Sequence, residues 1–268
     1  MSKPRILLTN DDGILSPGLW AAAQALAPLG FVTVAAPREQ SSGMGRSLPA
    51  ASDGIIHPQM INVNGQVWQV YAIGGTPAQV TLHAILEIMP QKPDLVVSGI
   101  NYGENISIGI GTSGTVGAAM EGAALGIPAL AISLQTEIHH HYSHSVDVDF
   151  SAAAHFAAFW ARRLLEQPLP PGVDLLKVDV PADATRETAW AWTRLSHHRY
   201  YRSLKPERSS WDVPGRLGYE IDLNLENEPQ DTDVYTLLKK RMVSVTPLTL
   251  DMTARTTAQE LARFVDNR

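Results

Sequence analysis

Short aliphatic runs alternate with longer amphipathic segments along residues 5–180 of this chain, and this alternation limits the folds open to it. The runs have the length and content of buried strands, and the segments between them have the apolar spacing of helices. A parallel sheet that is covered by helices on both faces produces this pattern. The predicted strands are residues 5–9, 31–36, 68–73, 94–98, 129–133 and 175–180, and the predicted helices are residues 19–29, 77–89, 116–125 and 150–165.

Composition agrees with a globular chain and excludes several kinds of site. Of the 268 residues, 44% are hydrophobic and 18% are charged, which lies outside the range of disordered chains. No cysteine is present, so disulfides, thiolate zinc sites, iron–sulfur clusters and cysteine nucleophiles are excluded. The formal net charge of −6 argues against a nucleic-acid duplex as partner.

The apolar stretches of the chain are too short or too interrupted to act as a signal peptide or a membrane span. The first run ends at Asn10, and the least polar stretch, residues 115–134, contains Glu121 and Pro128. We therefore expect a cytoplasmic protein with no membrane partner.

The composition changes after residue 182. Residues 183–247 are rich in aromatic, prolyl and polar residues, and residues 257–265 have the spacing of a helix. We expect residues 1–182 to form the sheet-based core. Residues 183–268 are expected to form a projecting β-hairpin and a C-terminal arm that packs back on the core.

Two adjacent carboxylates, Asp11 and Asp12, directly follow the first predicted strand. Unpaired charges at the rim of a core are costly, so these two need a cation or hydrogen-bond donors. Mg²⁺ or Mn²⁺ would meet that need through oxygen ligands, and Gly13 permits the sharp turn that lets the side chains converge. An Asp-Gly pair after a strand also begins ordinary helices, so the motif alone fits either a metal site or a helix cap.

Other polar loops fall at the same edge of the predicted sheet, because the carboxyl ends of parallel strands meet there. Ser41 and Ser42 can ligate a metal or bind phosphate, although they also suit an ordinary loop. Asn101 offers a neutral oxygen ligand and Asn105 a donor for a substrate oxyanion, although both also favour plain turns. Residues 111–117 form an anion cradle that lacks the lysine of a Walker A loop. Together the loops favour metal-assisted phosphoryl chemistry.

Four ordered motifs of this chain match one known family. They are Ile6-Leu7-Leu8-Thr9-Asn10-Asp11-Asp12-Gly13, Ser98-Gly99-Ile100-Asn101-x-Gly103-x-Asn105, Ser113-Gly114-Thr115-Val116-x-Ala118-Ala119-Met120-Glu121-Gly122 and Val243-Ser244-Val245-Thr246-Pro247-Leu248. In these motifs the chain resembles the SurE family, stationary-phase survival proteins with 5′/3′-nucleotidase activity. The resemblance runs from Arg5 to about residue 253.

The resemblance implies a Rossmann-like, three-layer α/β core with one divalent ion, Mg²⁺ or Mn²⁺, in each subunit. It implies hydrolysis of nucleoside 5′- and 3′-monophosphates, by water activated at the metal or by one of the two carboxylates. The implied metal ligands are Asp11, Asp12, Ser42 and Asn101, the implied catalytic residues are Asp11, Asp12 and Asn101, and the implied phosphate-binding residues are Asn105, Ser113, Gly114 and Thr115. The resemblance favours Ser42 over Ser41 because Ser42 follows Asp12 in the sequence by the same number of residues as the ligating serine of the family follows its second aspartate.

The resemblance also implies a homodimer or homotetramer, in which the hairpin and the C-terminal arm within residues 183–268 exchange between subunits. Three features depart from the family pattern: Thr112 replaces a tyrosine, Ser41 stands where a basic residue is usual, and the loop of residues 106–111 is more apolar and lacks the usual acidic residues. These departures leave the metal set intact and keep two alternatives open. One is a nucleotide-binding regulatory module with a degenerate site, and the other is a polyphosphate or other phosphoester hydrolase.

Two further clusters match no site of the family. His139, His140, His141 and His144 have metal-like spacing, but a solvated loop or an oligomer contact is the plainer interpretation. The basic and aromatic residues 197–202 suit stacking on a nucleobase or packing against a partner subunit.

Overall fold

The apolar runs of the sequence form strands of one central sheet in the computed structural model, which describes residues 3–266. The strands are β1 (Arg5–Thr9), β2 (Phe31–Pro37), β3 (Ile56–Val63), β4 (Gln66–Ile73), β5 (Leu95–Tyr102), β6 (Ala129–Leu134), β7 (Leu175–Val180), β8 (Trp190–Trp192), β9 (Tyr201–Leu204), β10 (Gly218–Ile221) and β11 (Val243–Leu248). Nine of them form the sheet in the order β3-β4-β2-β1-β5-β6-β7-β11-β8, while β9 and β10 pair separately.

The chain forms six α-helices within the described residues. They are α1 (Pro17–Leu26), α2 (Pro77–His83), α3 (Gly114–Ala124), α4 (Ser151–Glu166), α5 (Asp233–Leu238) and α6 (Ala258–Asp266), and the π-helical turn Ala84–Ile88 continues α2. Of these, α1 and α4 pack on one face of the sheet and α2 and α3 on the other. Thr76 begins α2 with a capping box, since its hydroxyl accepts from the Gln79 amide while the Gln79 side chain accepts from the Thr76 amide.

Strand periodicity divides the core into two layers. Ile6 and Leu8 of β1 pack on one face with α1 and α4, whereas Leu7 packs on the other face with α2 and α3. This alternation follows from the pleat, which turns successive side chains to opposite faces. The strands from β4 through β2, β1, β5 and β6 to β7 all pair in parallel. The expected Rossmann-like three-layer architecture is therefore confirmed.

Strand β5 runs further than its sequence indicates. The prediction ended it at Ser98, but it continues to Tyr102 with a shift of register between Ser98 and Asn101. Gly99 makes the continuation possible, because a Cβ atom there would lie 2.2 Å from the Ile132 carbonyl oxygen on β6. The irregular register brings Asn101 to the edge of the sheet where β1 ends.

The polar strand β3 was not predicted. It is the edge strand of the sheet, pairs antiparallel with β4 and contains Pro58, which only an edge strand tolerates well. On the far side, β11 pairs antiparallel with β7 and carries β8 as the other edge. These two strands continue the main sheet beyond residue 182. The proposed boundary between a core of residues 1–182 and an arm of residues 183–268 stays a prediction.

The hairpin and the closing helix lie outside the main sheet. Strands β9 and β10 pair antiparallel, as expected for a hairpin within residues 183–247. Helix α6 begins one residue later than predicted, and its apolar residues Leu261, Phe264 and Val265 are exposed. Within residues 3–266, no helix combines the length and the apolarity that crossing a membrane requires. The cytoplasmic location stays a prediction.

The contact between α1 and β5 gives a stability prediction. A Cβ atom on Gly18 of α1 would lie 2.1 Å from the Ile100 carbonyl oxygen. Alanine ordinarily stabilises a helix relative to glycine by about 0.5–1 kcal/mol, but this clash forces α1 away from the sheet. We expect Gly18→Ala to lower the free energy of unfolding by about 1–3 kcal/mol in urea titrations.

The matched control is Gly218→Ala on β10, where the nearest heavy atom to an added Cβ is Leu204 Cβ at 3.6 Å. Its free energy of unfolding should change by no more than about 0.5 kcal/mol. Equal stability of Gly18→Ala and the unsubstituted protein would show that α1 and β5 do not approach this closely.

Candidate functional site

The loop that follows β1 forms a tight turn. The Asn10 side chain closes it, donating from Nδ2 to the Gly13 carbonyl oxygen at 3.0 Å and accepting from the Gly13 amide at 3.1 Å. Gly13 has a φ of 96°, a left-handed conformation that favours glycine. The turn places Asp11 and Asp12 side by side, and both are buried.

Asp11 lies against the first turn of α3. Its Oδ1 accepts a hydrogen bond of 2.5 Å from the Thr115 hydroxyl. A Cβ atom on Gly114 would lie 2.7 Å from Asp11 Cβ, so glycine is what allows the helix to begin this close. Burial raises the pKa of Asp11, and the Thr115 hydroxyl offsets part of that rise.

Asp12 lies between β2 and β5. Its Oδ2 accepts from the Tyr102 amide at 3.1 Å, and its Oδ1 accepts from Gln40 Nε2 at 3.2 Å. Burial raises the pKa of Asp12 well above its usual value, and the charge of Asp11 raises it further. Within residues 3–266, neither carboxylate pairs with a lysine, arginine or histidine side chain. Two buried carboxylates without a cationic side chain suit a divalent cation.

The other two predicted ligands lie beside this pair. Gln40 Nε2 lies 3.1 Å from Ser42 Oγ as well as 3.2 Å from Asp12 Oδ1, so one amide connects the two residues. Asn101 donates from Nδ2 to the Gly103 carbonyl oxygen at 2.7 Å, which leaves its Oδ1 as a ligand atom. Asp11, Ser42 and Asn101 line one cavity of about 540 Å³, whereas Asp12 is not among the residues that line it. The donor set consists of carboxylate, hydroxyl and amide oxygens and fits Mg²⁺ or Mn²⁺.

The four predicted phosphate-binding residues occupy different positions. Asn105 and Ser113 line the cavity, while Gly114 and Thr115 lie against Asp11. Ser113 is the N-cap of α3 and accepts from the Val116 amide at 3.1 Å. The positive end of the α3 dipole therefore faces the cavity, where an anion would be stabilised.

Tyrosines from residues 200–219 also line the cavity. Tyr201 and Tyr219 line it, together with Tyr200, whose hydroxyl donates to the Glu104 carboxylate. Glu104 is only 2% exposed, and burial raises its pKa to about 7. Three residues of the basic and aromatic patch at 197–202, Arg199, Tyr200 and Tyr201, therefore line this cavity.

The histidine cluster divides between different contacts. His141 is buried and its Nδ1 lies 2.8 Å from the Tyr219 hydroxyl, while His144 Nε2 lies 2.8 Å from the Asp12 carbonyl oxygen. The ring centroids of His139 and His140 lie 3.9 Å apart, with the ring planes tilted by 44° to each other. In the described part of the chain, no group of three or more histidine, cysteine or acidic side chains is arranged to hold a metal.

Two contacts with the site, made by Gln40 and His144, were not predicted from the sequence. Gln40 donates to the His141 carbonyl oxygen at 2.7 Å in addition to its contacts with Asp12 and Ser42. Only its position in the sequence, two residues before Ser42, could have indicated that Gln40 lies near the site. His144 reaches the Asp12 backbone from a distant loop, and no sequence pattern indicates that contact.

Comparisons with known proteins show which family this chain is similar to. The family model described as survival protein SurE matches residues 6–202. The chain is 41% identical to the 5′-nucleotidase SurE of Methanocella arvoryzae, with 97% of each protein covered. It is 44% identical to the 5′-nucleotidase SurE of Thermococcus gammatolerans, with 96% of this chain and 94% of that protein covered. The crystal structure of SurE protein from Aquifex aeolicus matches with a TM-score of 0.74 at 30% identity, over 98% of this chain and 100% of that one.

The buried carboxylates give a prediction about stability and pH. The folded protein binds protons at Asp12 more tightly than the unfolded chain does, so the metal-free protein loses stability as the pH rises above the ordinary aspartate pKa of 3.8. An amide cannot ionise, so metal-free Asp12→Asn should be more stable at pH 7 by about 1 kcal/mol or more. The difference should shrink as the pH falls toward about 4.

Urea unfolding in EDTA, repeated with Mn²⁺, measures this effect. Mn²⁺ should raise the unfolding midpoint of the unsubstituted protein and leave that of Asp12→Asn nearly unchanged, because only the former retains the ligand set. A variant that is less stable than the unsubstituted protein at pH 7 would contradict the electrostatic interpretation.

Proposed function

The chain belongs to the survival protein SurE family, and from that premise we propose that it is a divalent-metal-dependent phosphatase that hydrolyses nucleoside 5′- and 3′-monophosphates to nucleoside and phosphate. The two relatives described above, at 41% and 44% identity, carry the name 5′-nucleotidase SurE. The observation that carries the proposal is the buried pair Asp11 and Asp12. In the described part of the chain neither carboxylate pairs with a cationic side chain, and Asp11 lines a cavity that the N-cap residue of α3, Ser113, also lines.

The metal set supports this reaction class. Asp11, Asp12, Ser42 and Asn101 would hold one Mg²⁺ or Mn²⁺ in each subunit. The ion supplies positive charge to phosphate oxygens and lowers the pKa of water. Asp11, which lines the cavity, and Asn101 would orient the phosphate, while Asp12 fixes the strand β5 backbone through the Tyr102 amide.

The remaining residues of the cavity suit a phosphate attached to a nucleoside. Asn105 and Ser113 would donate to the phosphate oxygens, and Gly114 and Thr115 hold Asp11 in place at the N-terminus of α3. Tyr201 and Tyr219 offer aromatic surface across a cavity of about 540 Å³, a volume in the range of sites for small ligands.

The first test of this function removes one carboxylate. We expect Asp11→Asn to lower kcat/KM for AMP and GMP by at least about 10²-fold, because metal stabilisation of phosphate charge contributes several kcal/mol. EDTA should abolish phosphate release from the unsubstituted protein, and added Mn²⁺ should restore it. The control is Asp212→Asn, a change to an exposed residue of the hairpin connection that should leave the activity unchanged.

A substrate panel distinguishes the alternatives. Full activity in a thoroughly chelated sample would contradict a metal-dependent reaction. Tight AMP binding without phosphate release in Mn²⁺ would instead indicate a nucleotide-binding regulatory module. Release from polyphosphate but not from mononucleotides would indicate a different phosphoester hydrolase.

We also propose that the protein is a homodimer or homotetramer in the cytoplasm. Leu261, Phe264 and Val265 follow helical spacing on one face of α6 and are 56%, 85% and 68% exposed. An apolar helix face of this kind is stable in water when another surface covers it. A neighbouring copy of the chain would supply that surface, as expected of an exchanged arm.

The double substitution Leu261→Ser with Phe264→Ser tests this assembly. We expect it to shift the mass measured by light scattering to a smaller species, because it removes the apolar face. Arg263→Ser on the same exposed helix is the control and should keep the original mass. Identical masses for all three proteins would rule out α6 as the assembly element.

A further inference from the structure

Three ionisable side chains form a completely buried cluster beneath the cavity. Lys177 and Asp179 lie on β7, and Asp233 begins α5. Lys177 Nζ lies 2.5 Å from Asp179 Oδ2 and 3.2 Å from Asp233 Oδ2, and all three side chains are 0% exposed. Transferring three charges out of water is expensive, so the cluster needs hydrogen bonds in addition to its ion pairs.

The two carboxylates obtain these hydrogen bonds from the loop that lines the cavity. Asp179 Oδ1 accepts from the Asn105 amide at 2.7 Å, and Asp233 Oδ2 accepts from the Ser107 amide at 2.9 Å. Asp233 Oδ1 also accepts from the Ser196 amide at 2.9 Å. The cluster therefore joins β7, α5 and the segment before β9 to residues 104–108.

Other contacts of this loop come from the same part of the chain. The Tyr201 hydroxyl donates to the Glu104 carbonyl oxygen at 2.9 Å, and the Ile108 amide donates to the Ser196 carbonyl oxygen at 2.9 Å. Ser107 has a φ of 63°, which is unfavourable for a residue other than glycine and requires such support. The backbone of residues 104–108 is thus held by residues 177–233.

Lys177 keeps its charge in this setting. Burial lowers its pKa, but Asp179 and Asp233 raise it, and the net change is upward. Without the ammonium group, two carboxylates would share one buried space, and their repulsion would move the loop amides that they accept from.

We infer that Lys177 is a positioning residue for phosphate binding: by holding Asp179 and Asp233 in place, it fixes the backbone of Asn105 and Ser107 at the cavity wall. The inference rests on the proposed phosphatase function. It also gives residues 196–233 a part in forming the site, beyond any role in assembly. A contribution of the cluster to stability alone would leave the affinity for phosphate unchanged.

The test compares Lys177→Gln with the double variant Lys177→Gln and Asp179→Asn. The single change should raise the KM for AMP and the inhibition constant of inorganic phosphate at least about tenfold. The Mn²⁺ dissociation constant, measured by calorimetry, should stay within about twofold, because the metal residues lie on other strands. The double variant restores the net charge and keeps an amide oxygen for the Asn105 amide, so it should recover much of the lost phosphate affinity.

The control is Lys92→Gln, which removes an exposed ammonium that donates to the Leu125 carbonyl oxygen far from the cavity. It should change none of these constants. Unchanged phosphate inhibition in folded Lys177→Gln would overturn the inference. Equal weakening of Mn²⁺ and phosphate binding would also overturn it, since that result indicates that the whole site has lost its structure and not only the phosphate-binding loop.

If Lys177→Gln does not fold, amide hydrogen exchange in the unsubstituted protein tests whether the buried cluster holds the backbone of Asn105 and Ser107. The Asn105 and Ser107 amides should exchange at least about 10³-fold more slowly than exposed loop amides. Exchange at the rate of exposed loops would overturn the inference. If the unsubstituted protein releases no phosphate from any nucleotide, the proposed function fails, whereas phosphate binding and exchange still decide the role of Lys177.

Discussion

Two carboxylates held side by side at the end of a buried strand are the constraint on which the rest of the site depends. The turn that Asn10 closes with Gly13 places Asp11 and Asp12 there. Each carboxylate accepts its own hydrogen bonds. Asp11 accepts one from the first turn of α3, and Asp12 accepts one from β5 and one from Gln40. Hydrogen bonds alone do not neutralise the pair, and the divalent cation proposed here would do so.

The phosphate side of the cavity is built by a different part of the chain. The loop that carries Asn105 leaves β5, but its amides are held by Asp179 and Asp233. Tyr200 and Tyr201, which also line the cavity, donate hydrogen bonds to Glu104 of the same loop. The cavity is therefore assembled from two sets of contacts, one organised around Asp11 and Asp12 and one around Lys177.

The sequence allowed prediction of the parts that depend on local pattern. Buried strands with uninterrupted aliphatic runs were recognisable, and the parallel arrangement brought the loops of Asp11, Ser42 and Asn101 to one edge. Elements that depend on distant partners were not: β3 is polar because it is an edge strand, and β5 continues past Ser98 only because Gly99 fits against β6. Asp233, the partner of Lys177, lies on another element, and no local pattern connects the two.

Contact between Gly114 and Asp11 also limits how this protein can change over time. The two residues come from separate elements, yet their atoms already leave no space for a Cβ atom at position 114. A larger side chain at either position would have to be accompanied by a shift of α3 or a shorter partner. Substitutions at the end of β1 and at the start of α3 should therefore be acquired jointly or not at all, which ties two distant parts of the gene to a single evolutionary step.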